Sequence, residues 1–505
     1  FKEVEKDRKL YHKSLDINSV HRSSLLVPKI SRNKTYISFL NHFFIKRNYT
    51  NVALKITGYN HDGSSGDSIS FKLEEPRVYS FYLEEILGDT FNCYQAEFFC
   101  SNNLFIPFPA VCINHIGVGN VNTVHSFNRI LNDVREMDKI SSIKVKEASI
   151  DLALNKKINT FIIFQSGIKN ISNETINISF KHFQNEYEEI SEQIPISLPK
   201  MSSLKIDLNK ILSKHIKKDL DSGEYVLRIE QPDQLMFYGR LFVGIEDLET
   251  GSFSGNHSYY DNSDFNEYFK EPKSYRTFPF FQGYKNELRI YPIMSPGVGT
   301  FSIFANLKTD EGLKIVLLNK YNFINNETTL SINLNQILKG LKIDESVVDT
   351  FTISYQAKNT GSPTRVNMQL IYGDASKSSI NSSVNVSLHN DDIFLPNKSY
   401  YETWGQILNI ENYDSKIGIC FGNFNKENSL EELIPLNVEI YDETGIIRKN
   451  KISIKNHQKY IIDSKDINST SKFLWVIVKS PKPYINIYTL SSNVKTGFSS
   501  GEHGF

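Results

Sequence analysis

The chain has little cysteine, no excess of either charge and no long apolar run. Its four cysteines, Cys93, Cys100, Cys112 and Cys420, are spread over 505 residues. That is too sparse for a disulfide-built scaffold and favours a reducing, cytoplasmic setting. Lys+Arg and Asp+Glu both total 57, so the formal net charge is zero. Phosphate-directed binding of nucleic acid, or adhesion to an anionic membrane, draws on a basic excess, so no nucleic-acid partner is expected. The basic run "KHIKKDL" (214–220) is short and reads as a solvated helix face. No apolar stretch approaches the ~20 residues that span a bilayer. The longest, "FLWVIVKS" (473–480), is of strand length. The opening "FKEVEKDRKLYHKS" is polar, unlike a secretory signal, although a first residue of Phe is compatible with a signal already cleaved.

Familiar catalytic motifs are also missing. "GVGNVN" (117–122) lacks the third glycine of a dinucleotide-binding turn, and "GSFSG" (251–255) carries Phe where a nucleophile elbow carries Ser. There is no Gly-Lys-Ser/Thr phosphate loop, no His-Glu-x-x-His and no Cys-x-x-Cys. The adjacent acids "EE" (84–85) and "DD" (391–392) point to opposite faces of a strand, so neither is a glycosidase pair.

What the chain does have is an internal repeat. Histidines recur as "NTVHSFN" (His125), "GNHSYYD" (His257), "VSLHNDD" (His389) and "SGEHGF" (His503). A Leu-x-x-Ile-Leu marker precedes the first three: "LEEIL" (83–87), "LNKIL" (208–212) and "LNQIL" (334–338). A turn signal lies earlier still, at Asp62-Gly63, "TDEG" (309–312) and "YDETG" (441–445), with no clear counterpart in the second repeat. Three markers in one order indicate four diverged copies. Period-two alternation runs through Ile176, Ile178 and Phe180, through Tyr225, Leu227 and Ile229, and through Leu436, Val438 and Ile440. Such alternation sets one face of each strand against a core. Units of this length with many short strands predict β-sandwiches of immunoglobulin or fibronectin type. The expected fold is therefore all-β, four tandem diverged sandwich units with short helical connectors. Three–four spacing predicts helices in "LNKILSKHIKKDL" and in "FNRILNDVREM", the latter linking units one and two. The expected units are 1–140 (with 1–20 as an N-terminal arm), 141–270, 271–396 and 397–505, separated by polar linkers such as "DNSDFNEYFKEPKS".

The stretch "LFIPFPAVCINH" through "NTVHSFNRILNDV", with "NHSYYD", resembles multi-repeat bacterial proteins of AT-rich genomes that carry no established activity. "IGICFGNF" followed by "LNVEIYDETGIIRKNKISI" resembles bacterial immunoglobulin-like or fibronectin-like modules. That resemblance implies binding, spacing or display, although a fold does not by itself fix a function.

The repeat histidines are the sharpest candidates for chemistry. Imidazole beside carboxylate suits zinc, iron or manganese. If the units close around a pseudo-symmetric centre, His125, His257, Asp261, His389 and Asp391 become candidate ligands. His115, Tyr259, Tyr260 and His503 become candidate binding residues. The competing reading is structural: each histidine satisfies its own strand-end turn. Cys112 and His115 have ligand-like spacing, but "CYQAEFFC" (93–100) reads as a strand whose cysteines pack as small hydrophobes. Aromatic stretches with nearby amides, "YRTFPFFQGY" (275–284), "FIPFPAV" (105–111) and "SYYETWGQI" (399–407), suit either sandwich ends or saccharide stacking. The preferred function is non-enzymatic binding or scaffolding with a carbohydrate or protein partner. The alternative is a metal-dependent enzyme or metal-binding protein with a His/Asp site at the repeat ends.

Overall fold

The computed structural model describes residues 21–100, 110–130, 147–154, 157–182, 190–212, 223–234, 236–237, 239–258, 273–290, 299–323, 330–358, 368–374, 376–377, 380–386, 388, 400–422 and 432–505. The fold is all-β, built from antiparallel sheets paired into sandwich units. Numbering strands one to eight within each unit, one sheet runs 1-6-3-4 and its partner 5-2-7-8, and this order recurs in all four units. In the first unit the 1-6-3-4 sheet is extended by Arg129–Ile130 and then by Met236–Phe237 from the second unit.

The three sequence markers occupy the same places in this topology. The turn signals cap the hairpin between strands three and four. There Gly63, Gly312 and Gly445 hold φ of +77°, +117° and +119°, a conformation that costs an L side chain strain. Each Leu-x-x-Ile-Leu marker is a short helix between strands five and six: α1 (Leu83–Leu87), α2 (Leu208–Leu212) and α3 (Leu334–Gly340). The first leucine of each is buried and plugs the open end of its sandwich. The second residue folds its side chain back to accept a backbone N–H from strand two. The pairs are Thr35 to Glu84 at 2.9 Å, Thr160 to Asn209 at 3.0 Å and Asn286 to Asn335 at 2.7 Å. The marker therefore encodes an apolar plug plus an acceptor that satisfies a strand edge. In the fourth unit a single 3-10 turn, Ser464–Asp466, takes this position.

Alternation sorts faces as expected. Ile176, Ile178, Leu227, Ile229, Leu436, Val438 and Ile440 are all buried. The helix expected in "LNKILSKHIKKDL" is present over Leu208–Leu212, inside its unit. "FNRILNDVREM" does not begin as a helix, because Ile130 is drawn into the sheet opposite Ser24 and Met236. Its remainder, like the arm at 1–20, lies outside the described residues.

The units are joined by apolar packing. One continuous core runs from Leu54, Phe98 and Val124 of the first unit to Phe161 and Phe242 of the second and Trp475 of the fourth. A second core joins Phe278 and Leu370 of the third unit to Tyr488 and Leu490 of the fourth. Polar bonds register the seam between the first and fourth units. Asn114 and Gln406 exchange amide hydrogen bonds of 3.3 and 2.8 Å, and Trp475 Nε1 donates to Ser38 Oγ at 3.1 Å. Buried amides and indoles require such partners, so each bond fixes a relative placement as well as filling space.

Candidate functional site

The eighth strands are Val121–His125, Phe253–His257, Ser382–Val386 and Ser499–His503. Each is the edge strand of its 5-2-7-8 sheet, and the four edges meet one another rather than solvent. The sequence of contacts is first unit, second, third, fourth and back to first, a closed ring. One bond recurs at two of its four seams. Asn122, three residues before His125, accepts from Gly255 N at 2.6 Å. Ser500, three residues before His503, accepts from Thr123 N at 2.8 Å. Asn256 Nδ2 donates to Ser383 O at 2.6 Å, joining the second unit to the third. Between third and fourth units the chains approach so closely that a Cβ on Gly501 would lie 2.9 Å from Val384 Cγ2. Edge strands are a liability when open, and the ring removes four of them at once.

This closure brings together three of the repeat histidines. One ring nitrogen each from His125, His257 and His503 lies within 4.8 Å of the other two. The His125 ring stands 4.5 Å from that of His257 and 4.8 Å from that of His503, centroid to centroid. The place of the third unit in this set follows from register. Three residues beyond the anchored Thr35, Thr160 and Asn286 stand Ser38, Ile163 and Arg289. These pair with Cys112, Phe242 and Gln369, which pair with His125, His257 and Asn385. In the fourth unit Gly418 pairs with Tyr488 and Tyr488 with His503. Asn385, not His389, is thus the fourth equivalent residue. It binds its neighbour directly, donating to His257 O at 2.5 Å.

The rings are oriented by their own strand ends. His257 Nδ1 lies 2.9 Å from Ser258 O, and His503 Nδ1 lies 2.8 Å from Gly504 O. A carbonyl accepts only from N–H, so these contacts place the proton on Nδ1 and the lone pair on Nε2. The Asn385 amide also stands 3.1 Å from His257 Nδ1, but it donates to His257 O, which leaves Nδ1–H for Ser258. His257 Nε2 is buried and without a hydrogen-bond partner among the described residues. Burial holds His257 well below the usual imidazole range, with the neighbouring His125 adding to the effect. Burial likewise lowers His503 to about 4. Both rings are therefore neutral at pH 7.

The carboxylate of the site is one the sequence reading passed over. Glu502 is buried and sits 3.0 Å from His125 Nδ1 through Oε2. It accepts from the backbone N–H groups of His125 at 3.0 Å and His503 at 2.9 Å. Burial alone would raise its pKa, but the facing His125 ring and the His125 backbone N–H hold it at about 2. Only its place immediately before a repeat histidine, "GEH", could have flagged it. Asp261, His389, Asp391, Tyr259 and Tyr260 lie outside the described residues. His115 is elsewhere, buried with Nε2 2.9 Å from Pro28 O and its ring between Phe242 and Phe253. All four cysteines are buried. Cys93 and Cys420 donate to the carbonyls of Met201 and Thr277, and burial pushes the Cys93 thiol up to about 12.

A second concave feature opens in the third unit. It has a volume of about 850 Å³ and is lined by Tyr284, Asn335, Gln336, Lys339, Glu345 and Asp374, among others. Asp374 is held below the usual carboxylate range by Ser376 and Lys377. Asn335 donates to Glu345 at 2.8 Å.

No family model matches the chain, and no curated protein matches it. Among solved structures it is similar to a calcium-binding mutant of Bacteroides uniformis beta-glucuronidase 2, at 7% identity over 51% of this chain and 27% of that one, with a TM-score of 0.11. It is similar to E. coli alpha-2-macroglobulin in its native conformation, at 10% identity over 94% of this chain and 29% of that one, with a TM-score of 0.13. A marsupial T cell receptor shows 10% identity over 71% of this chain and 99% of that one, at a TM-score of 0.09. The chain spans less than a third of the two bacterial structures. Likenesses this slight carry no argument about function. Among the described residues no helix is long and apolar enough to cross a membrane.

Proposed function

We propose that the protein is a non-enzymatic binding scaffold whose ring of sandwich units presents a carbohydrate-binding cleft on the third unit. The observation that carries this reading is the lining of that cleft. Amides of Asn335 and Gln336, the ammonium of Lys339, the carboxylates of Glu345 and Asp374 and the ring of Tyr284 share one open concavity of about 850 Å³. Sugars are recognised by just such directional donors and acceptors beside an aromatic surface. Acid–base hydrolysis of a glycoside needs one carboxyl with a raised pKa to donate a proton. Asp374 is instead held ionised by Ser376 and Lys377, which favours retention over cleavage.

The test is a glycan array probed with the intact protein, followed by calorimetry on the best ligand. Gln336 and Lys339 are exposed, so a Gln336→Ala/Lys339→Ala variant is expected to keep the fold and weaken binding about tenfold, the loss of roughly one charge-assisted hydrogen bond. An array without hits, or affinity unchanged in the variant, would overturn the carbohydrate assignment and turn the search toward protein partners.

A further inference from the structure

We propose that His125, His257 and His503 bind one divalent transition ion of the zinc class at the centre of the ring, as a clasp joining the first, second and fourth units. This assignment is independent of what the cleft binds.

Three observations support it. The first is reach. Three nitrogens within 4.8 Å of one another lie at most about 2.8 Å from a common centre, whereas zinc–imidazole bonds are about 2.0–2.1 Å long. Each ring needs to move inward by less than about 1 Å. The second is orientation. The Nδ1 atoms of His257 and His503 are committed to backbone carbonyls, and His125 Nδ1 faces a carboxylate. Metal-bound imidazoles are typically held in this way, with one nitrogen fixed by a carbonyl or carboxylate and the other free to ligate. The third is cost. His257 Nε2 is a buried polar atom with no partner among the described residues, and a native fold rarely leaves one unanswered. A buried dication also calls for negative charge nearby, which Glu502 supplies: its carboxylate is buried and lies 3.7 Å from His503 Nε2.

Among the described residues the third unit contributes no ligand. Asn385 spends its amide on His257 O and accepts from Gln369 at 2.7 Å. One coordination position on a tetrahedral ion is thus left for water or an added ligand.

The experiment is titration of chelator-stripped, full-length protein with Co²⁺ and Zn²⁺. Cobalt uptake is read by visible absorption, zinc by competition with a chromophoric chelator, and the fold at each step by circular dichroism. One equivalent of Co²⁺ with an intense tetrahedral-type spectrum, displaced by Zn²⁺, is expected. Glu502→Gln is expected to weaken zinc binding about 10–100-fold, the usual effect of removing an outer partner. His257→Gln is expected to abolish stoichiometric uptake. Asn385→His, which adds an imidazole from the third unit, is expected to tighten binding or alter the cobalt spectrum. Folded parent protein that takes up neither ion overturns the proposal. So does uptake that His257→Gln and Asn385→His both leave unchanged.

Discussion

Acidification from pH 7 to 4 should destabilise the protein through His115, a residue with no part in the histidine cluster. The ring is completely buried. Its Nε2 meets Pro28 O, while Nδ1 is enclosed without a partner among the described residues. A second proton would therefore sit on Nδ1 with no acceptor. Burial lowers its pKa to about 4 against an unfolded value of 6.5, with the Pro28 carbonyl opposing only in part. Because the folded pKa is depressed, the unfolded chain binds the extra proton first. The stabilisation is present above pH 6.5 and is lost as pH falls through 4. Linkage puts the loss from this one group at about 2 kcal/mol by pH 5 and about 3 kcal/mol by pH 4. Urea unfolding of the parent and of His115→Gln across this range isolates the term: between pH 7 and 5 the variant should lose about 2 kcal/mol less than the parent. Parallel profiles would refute the reasoning and would mean that His115 is already protonated in the fold or reached by water.

Two further substitutions test the architecture. Gly501→Val should destabilise the protein by about 1–3 kcal/mol, the usual range for overpacking, because even a Cβ would meet Thr489 O and Val384 Cγ2 at 2.9 Å; thermal unfolding beside the open-space control Gly340→Ala checks it. Leu334→Ala should cost about 2–5 kcal/mol by removing the buried first leucine of α3; a loss below about 1 kcal/mol in denaturant unfolding would mean that the helix is not a plug.

The parts of this structure written in local pattern were legible in the sequence. Alternation marked the buried faces of Ile176 and Ile178 and of Leu436, Val438 and Ile440. The Leu-x-x-Ile-Leu marker picked out equivalent positions in three units, and its three–four spacing pointed to the helix in the second. Supposing that the repeats close on a centre pointed to His125 and His257 together with Asp261, His389 and Asp391, and placed His503 only among the binding residues; the structure brings His125, His257 and His503 together. Equivalence in the third unit was not legible, because it is set by strand register through Arg289 and Gln369 to Asn385. Counting residues between histidines runs through loops of unequal length and arrives at His389. Glu502 was missed for a related reason. It precedes its histidine, and only the meeting of the first and fourth units gives its carboxylate a partner in His125. The helix expected over 127–137 does not begin at Phe127, because its apolar spacing serves a sheet edge equally well once Met236 of the second unit is there to pair with Ile130; the residues after Ile130 lie outside the described ones.

The central claim is that the first and fourth units meet, so that four sandwiches form a ring and not a string. Small-angle X-ray scattering of the monomer measures this directly. A compact 505-residue body has a radius of gyration of about 23 Å, and the same chain drawn out as its four sandwich units end to end has one of about 40 Å. The ring predicts a value near the first figure; one near the second would contradict it.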